Sequence, residues 1–180
     1  MNMELIIGQK VAYPNQGICL VEDIESKKIA GNLMNFYLLR VLSDNSTIFV
    51  PTANVEAVGL RPIITPKEYK SLVANLAKDF EDVSSDWKVR SREYNEKLQS
   101  GDVLEAADVL KKLTYLSLEK KLSFREQSLL EKAMFLIVSE VTNAGLADES
   151  KVESEINELI ENACTKHHIT QPSVMAATSH

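Results

Sequence analysis

The sequence predicts an α+β protein, with a small twisted β-sheet or open barrel followed by an all-α domain of about five helices. Three observations carry this expectation. Short apolar runs at about ten-residue spacing, separated by turn signals, fill the first 60 residues. Beyond them, apolar residues recur at helical spacing between well-formed capping signals. Between the two regions, Arg61-Pro62 and Thr65-Pro66 stiffen a joint where few contacts are expected to cross. The expected boundaries are a β domain over 1–62, a helical domain over 63–164 and a disordered tail over 165–180.

Gln9 to Tyr13 alternates as a first strand, and Pro14-Asn15-Gln16-Gly17 is a turn with a Pro start and a Gly finish. Ile18 to Ile24 is a second apolar run, followed by a turn at Ala30-Gly31-Asn32. Asn35 to Leu42 forms a third strand, Ser43-Asp44-Asn45-Ser46 turns the chain, and Thr47 to Val50 forms a fourth. Pro51 ends that strand or places it at a sheet edge, because proline has no N–H for a ladder. So small a unit has a thin core.

The helices follow in order. Thr65-Pro66-Lys67-Glu68 is a capping box with Pro at the first helical position, and Tyr69, Leu72, Val73, Leu76 and Phe80 recur behind it. Ser84-Ser85-Asp86 offers caps for a second helix from Trp87 to Leu98, stopped near Ser100-Gly101. Asp102 with Glu105 opens a third, carrying Leu104, Ala107, Leu110, Leu113 and Leu118. Ser123-Phe124-Arg125-Glu126 is a second capping box, opening a fourth helix that closes near Asn143-Ala144-Gly145. Asp148 caps a fifth through Val152, Ile156, Leu159 and Ile160, and order is expected to end near Cys164.

Composition excludes several classes. With 44% hydrophobic and 26% charged residues, the chain has the makeup of a soluble globular protein. No apolar run approaches the roughly 18–20 residues that span a bilayer, and the start lacks the basic and apolar regions of a secretory signal. The 2 cysteines, Cys19 and Cys164, are far apart, so reduced thiols in a cytoplasmic protein are expected. Cys19 in an apolar strand reads as an inert buried thiol. There is no Gly-rich phosphate loop, no nucleophile elbow and no Cys-x-x-Cys pair, so neither an enzyme nor a cofactor is expected. Cys164, His167 and His168 fall short of the four ligands usual for structural zinc and read as part of a solvated tail.

The net charge of −6 conceals its distribution. Residues 1–65 hold 5 basic and 6 acidic side chains, 66–126 hold 12 of each, and 127–180 hold 3 basic and 8 acidic. A basic cluster in the first two-thirds is therefore not masked by the total. Such a cluster follows the only tryptophan, in Trp87-Lys88-Val89-Arg90-Ser91-Arg92. Two readings compete here. Trp87 shares a helical face with Tyr94 and Leu98 and would then simply pack on the next helix. Against that, Lys88, Arg90 and Arg92 sit at a helix start, where the dipole disfavours cations by roughly 0.3–1 kcal/mol each. An aromatic among cations suits a nucleic acid, with the ring on or between bases and the cations on phosphates.

The residues resemble those of the CarD/CdnL family. Gly8-x-x-Val11-x-Tyr13-Pro14-x-x-Gly17, Phe36 to Val41, Val50-Pro51 and Val58-Gly59-Leu60-Arg61 resemble its amino-terminal domain. Trp87-x-x-Arg90-x-Arg92, Glu96-Lys97-Leu98-x-Ser100-Gly101-Asp102 and Leu122-Ser123-Phe124-x-Glu126 resemble its helical domain. The likeness runs in order from about Gly8 to Ile160. The sheet half also resembles the polymerase-interacting domain of the transcription-repair coupling factor, and the helical half separates the two. The resemblance implies a bacterial transcription regulator, cytoplasmic, monomeric and without membrane contact. Its Tudor-like domain would grip the RNA polymerase β subunit through Lys27 and the strand bearing Ile48, Phe49 and Pro51. Its helical domain would reach promoter DNA at the upstream edge of the −10 bubble, with Trp87 wedged into the minor groove and Lys88, Arg90, Arg92 and Arg125 around it. The chain departs from the pattern at Val89, where Arg is frequent, at Gln127, where Lys occurs, and at Tyr94, where Asn is common.

Those departures motivate an alternative: a polymerase-binding paralogue with weak or no DNA engagement, acting as an antagonist or through another protein. A small-molecule enzyme with a cleft between the domains is a third class, supported by no residue pattern.

Overall fold

The computed structural model describes residues 3–170. The chain divides after Ile64 into a sheet unit and a helical unit. Strands β1 (Lys10–Tyr13), β2 (Gly17–Ile29), β3 (Asn32–Val41), β4 (Thr47–Pro51) and β5 (Arg61–Pro62) form one open sheet in the order β4-β3-β2-β1-β5. Every pairing is antiparallel. Connections of two to five residues join β1 through β4, so chain neighbours become sheet neighbours.

The inner faces of the strands supply the core: Val11, Cys19, Val21, Leu39, Val41 and Val50 are almost fully buried. Tyr37 joins them and spends its hydroxyl on accepting the Leu5 N–H at 3.1 Å, so the ring is buried without an orphaned oxygen. A register shift between Val21 and Asp23 interrupts the β2–β3 ladder. Past this bulge the hairpin carries exposed apolar side chains, Ile24, Ile29, Leu33 and Met34, outside the core.

The hairpin tip is Ala30-Gly31, and both residues have positive φ, 51° and 83°. A type I′ turn requires this backbone, and its twist matches that of the flanking strands. Gly31 adopts it freely, whereas Ala30 places a Cβ in the left-handed region.

The helical unit comprises α1 (Pro66–Ala77), α2 (Trp87–Gln99), α3 (Val103–Glu119), α4 (Phe124–Asn143) and α5 (Glu149–Thr170). Capping boxes start α1 at Thr65 and Glu68 and α4 at Ser123 and Glu126, while Asp86 and Asp102 cap α2 and α3. Helix α3 packs against each of the other four. It accordingly reads apolar around most of its circumference, with Ala106, Ala107, Val109, Leu110, Leu113 and Leu116 buried. Two of its lysines are buried as well. Lys112 pairs with Asp108 at 2.9 Å, and Lys111 extends its ammonium to the carbonyls of Asn75 and Lys78 at 2.6 and 3.2 Å. With Lys166 donating to the Ala77 carbonyl at 3.0 Å, cations serve the carbonyl end of α1, where the dipole favours them. No helix among the described residues is long and apolar enough to cross a membrane.

Two expectations are corrected here. Helix α1 ends at Ala77 rather than running to Phe80, because Lys78 turns to extended backbone at ψ 148°. Helix α5 runs to Thr170, past the expected end of order at Cys164. The reason is His167, which is 3% exposed rather than solvated. Its ring stacks on Phe80 at 4.2 Å and meets Tyr115 edge-on, and its Nδ1 lies 2.9 Å from Asp79 Oδ1. The rest of the expected tail, 171–180, lies outside the described residues.

Replacing Ala30 by Asn relieves the left-handed alanine and supplies the residue preferred before Gly in this turn. Chemical denaturation should show Ala30→Asn stabilising the sheet unit by about 0.5–1 kcal/mol. An unchanged midpoint would mean that the hairpin tip contributes nothing to the cooperative transition.

Candidate nucleic-acid interface

Trp87 is the first residue of α2. Asp86 caps the helix by accepting the Lys88 N–H at 2.9 Å, and no acid stands within the first turn itself. On the helical wheel Trp87 does share the face of Tyr94 and Leu98, which are 1% and 2% exposed. Trp87 itself is 57% exposed. The face it shares becomes core only from the second turn onward. Under the first turn it opens onto a cavity of about 730 Å³ between the start of α2 and the segment from Lys120 to Leu129.

Arg90 was expected to face DNA and is corrected: at 2% exposure it is a structural tie. Its Nη1 donates to the Ser84 carbonyl at 2.7 Å, and its Nη2 donates to Glu126 Oε1 at 2.7 Å. Glu126 in turn holds the start of α4, where its carboxylate accepts the Ser123 N–H at 3.1 Å while the Ser123 hydroxyl accepts the Glu126 N–H at 3.2 Å. One guanidinium therefore joins the turn before α2, α2 itself and the first turn of α4. A buried cation requires such partners, since an unpaired one is strongly unfavourable.

The remaining expected cations, Lys88, Arg92 and Arg125, are exposed. None of them is in a salt bridge among the described residues, although Lys88 Nζ lies 5.9 Å from the Trp87 ring centroid. Lys120 and Lys121 add two more exposed cations at the cavity. Phe124, read from sequence only as part of a capping box, is 88% exposed and lines the same cavity as Trp87. A signal for it was present: its i+3 and i+4 neighbours are Gln127 and Ser128, so it has no apolar company on its own helix.

In the sheet unit, β4 is an edge strand paired only with β3. Ile48 packs against the core, Pro51 is half-buried, and Phe49 is 44% exposed on the outward face. Lys27 Nζ sits 3.8 Å above the Phe49 ring, a cation–π contact that joins two of the expected polymerase-facing residues. An edge strand with unpaired backbone groups and an exposed aromatic is a surface open to a partner chain.

Neither cysteine is suited to chemistry. Burial pushes the Cys19 and Cys164 thiols up to about 11, so both are protonated at neutral pH. No group of three or more metal-ligating side chains is found among the described residues, and His167 of the tail cluster is held by Phe80 and Asp79.

Comparison with known proteins gives concordant matches in both units. Residues 5–64 match the family model described as the CarD-like/TRCF RID domain, and residues 71–157 match the one described as CarD, C-terminal domain. A Bacillus subtilis (strain 168) protein, described as "Putative transcription factor YdeB", is 26% identical over 148 residues, which cover 82% of this chain and 97% of that protein. The solution NMR structure of the 72-residue N-terminal domain of Myxococcus xanthus CarD is 37% identical, covers 34% of this chain and 83% of that one, and has a TM-score of 0.29.

The buried tie has a pH signature. Burial alone would raise the Glu126 carboxyl, but its hydrogen bonds with Arg90 and Ser123 outweigh burial and hold it below its ordinary value of 4.5. A carboxyl held low in the folded state adds stability that is fully present above its unfolded value and is lost as pH falls through the folded one. Glu126→Gln should therefore destabilise the helical unit by about 3 kcal/mol at neutral pH, since it leaves Arg90 buried without a counter-charge. Denaturation curves of the two proteins should converge as pH drops below 4.5. A gap that persists into strong acid would show that the loss is steric rather than ionic.

Proposed function

The chain belongs to the CarD family, and from that premise we propose that it is a cytoplasmic transcription regulator that docks on the RNA polymerase β subunit and stabilises the promoter open complex. The docking surface is the β4 edge with Ile48, Phe49, Pro51 and Lys27. The DNA-facing element is the start of α2. Trp87 enters the minor groove at the upstream edge of the −10 bubble, and Lys88, Arg92 and Arg125 meet the flanking phosphates. The observation that carries this reading is the exposure of Trp87 at 57%, above an open cavity and among cations that hold no salt bridge.

Energetics favour this division of labour. Unstacking a base step costs a few kcal/mol, which an inserted apolar ring partly offsets. Three cations give only weak, salt-sensitive affinity for free DNA, so polymerase docking must supply the local concentration. A ring that fits opened promoter better than closed duplex shifts the equilibrium by that difference alone. Sequence dependence enters through the deformability of the step. The chain acts as a monomer, by binding rather than catalysis.

One observation favours a second reading. With Arg90 committed to Glu126, and Val89 and Gln127 uncharged, the DNA side is less basic than the sequence implies. A polymerase-binding paralogue without useful DNA contact fits that deficit. Footprinting of the holoenzyme complex separates the two readings by the presence or absence of protection at the upstream fork.

Trp87→Ala should shorten open-complex lifetime by about 5-fold or more while leaving β-subunit capture intact, as expected for an aromatic–base contact of roughly 1–3 kcal/mol. Phe49→Ala should do the reverse and weaken capture. Loss of capture in both variants would mean that Trp87 has no separate role at DNA.

A further inference from the structure

Phe124 is the most exposed large apolar side chain among the described residues, at 88%. The capping box at the start of α4 depends on Ser123 and Glu126, not on the phenyl ring between them. Helix formation therefore does not explain it, and its i+3 and i+4 neighbours, Gln127 and Ser128, are polar. What it does share is a wall of the cavity beneath Trp87. Leu122 and Leu129 add apolar lining, and Lys120, Lys121 and Arg125 add positive charge. About 730 Å³ is within the range of small-ligand sites and ample for one nucleotide.

We infer that Trp87 and Phe124, which line one cavity, together form a receptor for one unpaired base extruded from the opened promoter strand. Two exposed aromatic rings and several cations lining one cavity suit single-stranded nucleic acid, because every base presents a π-face and every linkage a phosphate. A base flipped from the stack loses its neighbours, and the rings replace them. Arg125, Lys120 and Lys121 meet the adjacent phosphates. The anionic occupant is favoured over an apolar protein segment by these cations: Glu126, the acid at the cavity, is neutralised by Arg90.

The inference rests on the proposed function and adds to it a second aromatic and a bound single base. The test uses the full-length protein, RNA polymerase holoenzyme and promoter templates with 2-aminopurine at single positions across the upstream edge of the bubble. Wild type should quench the probe at one position relative to polymerase alone. Phe124→Ala should abolish that quench and shorten open-complex lifetime about 5-fold or more, whereas Phe124→Tyr should retain both effects. An abasic site at that position should make wild type and Phe124→Ala equal. Phe124 is exposed, so an unchanged thermal midpoint should accompany each variant. If Trp87→Ala fails while Phe124→Ala matches wild type in quench and lifetime, the second aromatic is refuted and the proposed function stands. If neither variant differs from wild type, both fall. If Phe124→Ala weakens polymerase capture without DNA, the occupant is protein and the base receptor is refuted.

Discussion

The helical unit depends on one buried guanidinium. Arg90 fixes three pieces of chain at once: the turn at Ser84, the helix that begins at Trp87 and the helix that begins at Phe124. Apolar packing holds α2 and α4 further along their length, but their first turns, Arg90 and Glu126 apart, lie in the open. A directional, charge-assisted bond does what packing cannot there, since its geometry tolerates little drift. The arrangement also explains why a cation is kept at a helix start, where the dipole opposes it. Its counter-charge, Glu126, lies on α4 rather than in the same turn.

The same logic separates what was legible in the sequence from what was not. Strands, turns and helix starts were readable because each is set by residues within one turn of each other. The boxes at Thr65 and Ser123 are the clearest instances. Arg90 was misread because its partner, Glu126, lies 36 residues away and nothing local marks the pair. His167 was misread for the same reason, with Asp79 88 residues distant. Trp87 is subtler. The helical wheel correctly gives its face, but a wheel has no ends and cannot tell that the face opens onto a cavity at the first turn. Phe124 differs again, since Gln127 and Ser128 mark its lack of apolar company on its own helix, while the capping box around it accounts only for Ser123 and Glu126.

The sheet unit solves a different problem. Its core is small, so it is built from residues buried almost completely on a few short strands, with Tyr37 and Leu5 closing one end. The bulge in β2 then frees the outer hairpin from core duty. Phe49 and Lys27 form an exposed pair on the edge strand and its neighbourhood, where ring and ammonium lend each other order before any partner arrives. Such preorganisation lowers the entropy that docking must overcome. Both units therefore present an aromatic with a cation at the surface, one set by a sheet edge and the other by a helix start.

The two cysteines fall one to each unit, Cys19 in the sheet core and Cys164 in α5. Each thiol is buried and stays protonated at neutral pH. An alkylating reagent in solution therefore reaches either sulfur only when the surrounding structure opens. Native chemistry thus gives each half of the molecule its own clock. Mass spectrometry of unaltered protein, alone or assembled on its target, can time the breathing of one half independently of the other, with no engineered label to disturb either.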